Sequence, residues 1–201
     1  MSTPRPGLRE QRKADTRRTI QERALALFLD KGFDATTVEE IAAAAGVSHM
    51  TFFRYFPTKE SVVENDDYDP LLAGLIRDRP PEERPLTAVR RALHEGLEQV
   101  LAADAAAVLA RTKLVTTTPA LRARAWRNTA TTESLFATAI ADREQRTVHF
   151  EHHVVASAIT AALVTALTAW AESDGGRELT ALVDTALATL AALGPEPAPR
   201  D

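Results

Sequence analysis

Cysteine is absent from this 201-residue chain, and with it go disulfides, zinc–thiolate sites and thiol catalysis. No unbroken apolar run reaches the roughly 18 residues that a bilayer-spanning helix needs, so no membrane partner is expected. The start, MSTPRPGLREQRKADTRR, is basic and polar and has no apolar stretch of secretory type. The expected location is the cytoplasm. Alternating β-branched runs bounded by turn residues are also missing, which removes a sheet-built fold. There is no glycine-rich phosphate loop, activated serine or paired acid–base dyad. The chain is therefore not read as an enzyme, and no cofactor is expected. Aromatics are scarce, with two Trp, two Tyr and seven Phe.

What is present is helix-forming material with an uneven charge. The net charge of −4 argues against indiscriminate coating of nucleic acid, but its distribution matters more. Residues 1–23 hold seven Lys/Arg against three Asp/Glu, while the chain beyond residue 60 is acidic on balance. That asymmetry fits an N-terminal module facing a polyanion; a basic leader alone would give the same count. Proline and glycine gather at 4–7, 80–85 (PPEERP) and 194–199 (GPEPAP). Between them the pattern is Ala- and Leu-rich and helical. The organisation expected is a flexible basic arm over 1–14, a small helical module over 15–62, a larger helical domain over 63–194 and a disordered tail over 195–201.

Local signals place three short helices in the module. Ile20, Ala24, Leu27 and Phe28 make one buried stripe on a helix running from Asp15 or Thr16 to Lys31. Gly32 suits the turn that ends it, and Phe33 can fold back on the last turn. Thr37 with Glu40 three residues on forms a capping box for a second helix, whose apolar face is Val38, Ile41 and Ala42. Gly46 breaks that helix, and Ser48 caps a third. Short helices joined through a glycine turn outline a helix-turn-helix.

Four of the scarce aromatics crowd that third helix, in VSHMTFFRYFPTKE, residues 47–60. Phe52 and Phe56 are four apart and share a face; they are assigned to the core. His49, Met50, Phe53 and Arg54 then face outward, an odd set for a solvated surface and a reasonable one for a helix in a DNA major groove. There His can bond a base edge, Met and Phe can meet thymine methyls or sugars, and Tyr55 and Arg54 can reach phosphates. In such motifs the first residues of the second helix meet the bases, which selects His49 and Met50. Thr58 caps a further helix with Lys59 in its first turn, where a cation is favourable only if an anion also sits at that helix end. Thr37 offers a comparable phosphate contact. A plain three-helix packing unit with an aromatic interface patch would share this outline.

Residues 16–63 as a whole, with ALALF…GFDATTVEEIA, AGVS and TFFRYFPTKE at their spacing, closely resemble the DNA-binding domain of the TetR family of bacterial transcriptional regulators. The resemblance implies an all-α protein with an N-terminal three-helix DNA-binding domain and a C-terminal helical ligand-binding and dimerisation domain. It implies a homodimer on a double-stranded palindromic operator, usually a repressor, released by a small molecule. By position in the motif, DNA contacts would fall on Thr37, Ser48, His49, Met50, Thr51, Phe53, Tyr55 and Lys59. Phe53 stands where the family more often has tyrosine, so a phosphate hydrogen bond there is lost.

For the remainder, helices are expected near 59–78, 86–103, 105–117, 119–144, 148–173 and 178–193. The last two carry apolar stripes broader than a surface helix needs. A dimer interface is therefore expected at Val155, Ile159, Ala162, Ala166, Trp170, Leu179, Val183, Leu187 and Leu190. A small lipophilic effector is expected among residues awkward in a dry core: His94, Arg111, Thr112, Thr116, Trp126, Thr129 and Phe136. The plainer alternative is that these threonines bond to their own helix. HFEHH, with His149, His152 and His153 on one helical face, could hold a metal, but such clusters are more often solvated or packed, and no metal site is expected.

Overall fold

The computed structural model describes residues 7–64 and 68–192. Among them are nine helices and no strand. The chain divides into two compact units, Met1–Asn65 and Asp66–Asp201, a boundary three residues later than the one expected at 62/63. The shift follows from Val62 and Val63, which are 0% and 1% exposed, and from Gln21 Nε2, which donates to the Val62 carbonyl at 3.2 Å.

The first unit contains α1 (Leu8–Lys31), α2 (Val38–Ala44), α3 (His49–Tyr55) and α4 (Ser61–Glu64). Helix α1 begins about two turns before the expected start, so residues 8–14 are helix and not a flexible arm. The stretch LREQRKA is made of good helix formers, yet it has no buried stripe, and a search for amphipathic periodicity passes over it. Residues 1–6 lie outside the described residues. At the other end Gly32 adopts φ 90°, a backbone that disfavours side chains, and the Phe33 ring packs 4.9 Å from Phe28. The capping box on α2 is formed in both directions: Glu40 N–H donates to Thr37 Oγ1 at 3.2 Å and Thr37 N–H to Glu40 Oε2 at 2.9 Å. Helix α2 stops in a Schellman turn. Gly46 has φ 66°, its N–H reaches the Ala43 carbonyl, and Val47 N–H reaches that of Ala42. The core of the unit joins Ile20, Ala24 and Phe28 of α1 to Ile41, Phe52 and Phe56, all buried.

The second unit holds α5 (Tyr68–Arg77), α6 (Pro85–Thr117), α7 (Pro119–Arg143), α8 (Phe150–Glu172) and α9 (Leu179–Ala192). Helix α6 is broken at Asp104 (φ −165°, ψ 75°), the residue between the two helices expected here. Asp104 Oδ1 accepts from Ala107 N–H at 2.9 Å, so this side chain caps the second segment while interrupting the first. Pro85 and Pro119 stand at first turns, where a missing N–H costs nothing. The loop 80–84 is tied down by buried Arg143, whose guanidinium donates to the Pro80 and Glu83 carbonyls. Of the helix expected over 59–78, the described residues show α4 and α5; residues 65–67 between them lie outside the described residues, as does the tail 193–201.

Helix α8 packs against α6, α7 and α9. Among the described residues it is the one helix long and apolar enough to cross a membrane by length and composition, with mean hydropathy 1.9 and 44% of that window buried in the fold. The expectation of none rested on unbroken apolar runs, and Ser157, Thr160, Thr165 and Thr168 interrupt this one.

The expected dimer stripe is corrected in its orientation. Ile159, Ala162, Ala166, Trp170, Leu179, Val183 and Leu187 are all under 9% exposed and form the unit's own core with α5, α6 and α7. Leu190 is half-buried against it, and of the expected set only Val155 is exposed. Periodicity finds the apolar side of a helix but not which neighbour covers it. Toward its ends α8 exposes Phe150, Glu151, His153 and Glu172, but its middle leaves outside only small or β-branched residues such as Val154, Val155, Ala161, Val164 and Thr165, and α9 leaves Ala181, Thr185 and Ala188.

Candidate nucleic-acid interface

Helix α3 presents two faces of opposite character. Phe52 is fully buried and Phe56 closes the core beside it, their ring centroids 6.0 Å apart. On the other side Met50 is 78% exposed and Phe53 40%. The helix is held at its start by Ser48, whose Oγ accepts from Thr51 N–H at 3.1 Å and lies 2.9 Å from Thr51 Oγ1. Both hydroxyls are thus committed to the cap in the free protein, though Ser48 remains exposed. Thr37 is likewise exposed while capping α2.

His49 opens α3 and is oriented by two neighbours. Its ring meets Phe53 edge-on at 4.7 Å, and Nε2 lies 3.2 Å from Glu39 Oε1 of α2. Glu39 is an acid on the face expected to meet DNA, and sequence spacing gave no sign of this pairing. In the free protein that carboxylate gives the His49 ring a partner. Tyr55, half-buried, closes α3 with the Arg54 guanidinium over its ring at 5.4 Å.

Lys59 has a different position from the one expected. It precedes α4, which starts at Ser61, and its ammonium turns inward. Nζ donates to the Phe33 carbonyl at 2.7 Å and the Thr36 carbonyl at 2.9 Å, and sits 4.4 Å from the centre of the Phe33 ring. Its charge is neutralised by two carbonyls and a ring face rather than by an anion at a helix start. The Thr58 hydroxyl oxygen does accept from the Ser61 N–H at 3.1 Å, a side-chain bond that holds the turn leading into α4. Next to this tie, Glu40 is held by the Lys31 ammonium and by the Thr37 N–H, which bring its carboxyl down from 4.5 to about 2.

In the second unit the expected effector residues divide. Phe136 is fully buried. Arg111 is half-buried, with its guanidinium 5.4 Å from the Tyr68 ring centre. Thr112, Thr116 and Thr129 donate to carbonyls of their own helices, the plainer of the two alternatives. Trp126 is 82% exposed, because between Leu121 and Phe136 helix α7 buries no side chain for it to join. His94 also lies at the surface, drawn to Glu98 at 3.4 Å and Asp184 at 3.7 Å. Half-buried Thr132 donates to Asp69, and Thr160, which was not anticipated, is 3% exposed with a hydroxyl that has no hydrogen-bond partner. The histidines of HFEHH serve the start of α8. His152 Nδ1 accepts from His149 N–H at 2.8 Å, which leaves Nε2 to donate toward Glu144 at 3.3 Å.

Comparison with known proteins places both units. Residues 20–65 match the family described as bacterial regulatory proteins, tetR family, and residues 83–195 match the MftR C-terminal domain. The chain is 38% identical over 151 residues, 71% of its own length and 67% of the relative's, to the HTH-type transcriptional regulator TcmR of Streptomyces glaucescens. It is 34% identical over 86 residues to the HTH-type transcriptional repressor KstR2 of Rhodococcus jostii, covering 43% of this chain and 40% of that one. Among solved structures, Thermus thermophilus FadR, a TetR-family transcriptional repressor in complex with lauroyl-CoA, superposes with a TM-score of 0.55 at 26% identity, over 92% of this chain and 98% of that one.

Proposed function

Because the chain belongs to the TetR family of bacterial regulatory proteins, we propose that it acts in the cytoplasm as a homodimeric repressor on a palindromic operator and is released by a small lipophilic effector. It is a transcriptional regulator and not an enzyme. The observation that carries the DNA-reading half is the outer face of α3. His49, Met50 and Phe53 project from a helix anchored from behind by buried Phe52 and Phe56. Met50 and Phe53 together, beside the His49 ring, form an exposed apolar surface on one helix, and a groove lined by thymine methyls and sugars suits it. Thr37, Ser48, Thr51 and Tyr55 stand around it as donors for the phosphate walls.

Dimerisation is supported by the middle of α8 and the exposed alanines and threonine of α9, where Val155, Val164, Ala181, Thr185 and Ala188 leave an uncharged surface of small side chains that lets two helix pairs approach closely. A two-fold arrangement would set two copies of α3 on two half-sites, hence a palindrome. The lipophilic effector is supported by the interior of the second unit, which is apolar but for a few groups such as Arg111, Thr132 and Thr160, and by the acyl thioester held by the Thermus relative. Selection of bound sequences from random duplex DNA tests the reading. Enrichment of an inverted repeat supports it, and a pool that stays random after repeated rounds overturns it.

A further inference from the structure

Helix α1 runs two turns past the core it serves, and its inward face changes chemistry there. Arg9, Arg12, Lys13 and Thr16 follow the i, i+3, i+4, i+7 spacing, and the same stripe continues through Ile20, Ala24 and Phe28. In the second half of the helix that stripe is buried and apolar. In the first half it is cationic and exposed, except for half-buried Thr16. It lies across from the end of α3: Arg9, Arg12, Lys13, Thr16, Arg54 and Tyr55 line one open groove of about 500 Å³. Four of these six side chains carry positive charge, and no carboxylate lines the groove.

Four like charges around one concave surface repel one another, and an oxyanion in their midst converts that repulsion into attraction. The guanidinium groups suit it, since a planar fork of donors fits phosphate oxygens in pairs. Tyr55 adds a hydroxyl at the rim, while that of Thr16 donates to the Arg12 carbonyl at 2.8 Å. Position along α3 then selects the anion. Arg54 and Tyr55 follow His49 and Met50 by five residues, about 7.5 Å at 1.5 Å per residue. In a major groove about 12 Å wide, a helix whose first turn meets bases brings its last residues to the bounding strand. The cations of α1 lie farther from the bases still.

We propose that this groove grips the sugar–phosphate backbone of DNA beyond the base pairs read by α3, with Arg9, Arg12 and Lys13 as contacts that lengthen the footprint without reading sequence. The inference rests on the reading that α3 enters the major groove. Such contacts release counterions, so they raise both affinity and its salt dependence on every sequence equally.

The test is the triple variant R9Q/R12Q/K13Q in the full chain, since glutamine keeps the helix propensity of the residues it replaces. Binding is measured between 50 and 200 mM salt on a selected duplex, on a scrambled duplex of equal length, and on the selected duplex trimmed to the bases α3 reads. Loss of three contacts lowers the salt slope by about 2.7 per protomer, so the wild-type advantage shrinks about 40-fold per protomer across that range. The factor should be equal for selected and scrambled DNA, nearly absent on the trimmed duplex, and accompanied by unchanged helicity. Arg54→Gln, at an exposed position, should remove about one further unit of slope. An unchanged slope overturns the proposal, as does a loss confined to the selected sequence. If inorganic phosphate displaces wild-type protein from DNA far better than chloride at equal ionic strength, the groove is a small-anion site and the proposal also fails. If wild-type protein selects no sequence at all, it is the DNA-reading function itself that falls.

Discussion

Lys59→Met separates two roles that this lysine can play. Methionine keeps most of the apolar stem and removes the ammonium. In the folded protein that ammonium donates to the carbonyls of Phe33 and Thr36 at 2.7 and 2.9 Å and rests on the Phe33 ring. Phe33 and Thr36 are 5% and 1% exposed, so water cannot readily replace the lost donors. The Phe33 carbonyl retains the Thr36 N–H at 3.3 Å, which softens one of the two losses. Charge-assisted bonds contribute about 1.5–3 kcal/mol each and the ring contact about 0.5–1; with partial compensation, about 2–4 kcal/mol is the net destabilisation expected. Hydrogen exchange measured by mass spectrometry on the intact chain reads this unit separately from the other. Amides of α2 and α3 that open only with the whole unit should exchange about 30- to 1000-fold faster in the variant, at 1.4 kcal/mol per tenfold, while those of α8 should not change. Wild-type exchange combined with a DNA salt slope lowered by one unit would show that Lys59 faces phosphate, and the reasoning would be refuted.

Two further outcomes follow from named contacts. The Glu40 carboxyl is held near 2 by Lys31 and Thr37, so its contribution is present above about 4.5, its ordinary value, and is lost as pH falls toward 2. The Thr37 amide, bonded to that carboxylate, should titrate by NMR with a midpoint near 2 and cease to do so in Glu40→Gln; a midpoint near 4.5 would contradict the pairing. On α8 the outer face should be the dimer contact, so Val164→Arg, at a side chain 50% exposed, should sediment as a folded monomer at micromolar concentration. Leu187→Glu, 1% exposed, should instead unfold the second unit, and a dimeric Val164→Arg protein would move the interface elsewhere.

Features governed by neighbours in sequence were legible from the chain alone. The Thr37–Glu40 box, the Gly46 turn, the Ser48 cap, the opposition of Phe52 to Phe53 and the break at Asp104 each depend on residues within about four positions, where spacing dictates geometry. What escaped depends on distant partners or on the absence of a partner. Lys59 meets carbonyls 26 and 23 residues away, which no local pattern encodes. The first two turns of α1 bury nothing, so periodicity had nothing to detect, and the cationic groove was hidden with them. On α8 and α9 the apolar stripes were found, but their inner and outer sides were exchanged, because a stripe does not say whether α6 and α7 or a second copy covers it. Trp126 and His94 were drawn inward by residue type, whereas α7 offers Trp126 no buried neighbours and two carboxylates hold His94 at the surface.

The most direct test of the central claim is the same selection from random duplex DNA carried out in parallel with wild-type protein and His49→Ala. The account predicts an inverted repeat for the wild type. For the variant it predicts the same repeat with preference relaxed at one symmetric pair of positions, at a cost of about 1–3 kcal/mol per lost base contact on the best site. Identical profiles from the two proteins, or no enrichment with either, would contradict the claim that α3 reads DNA through His49.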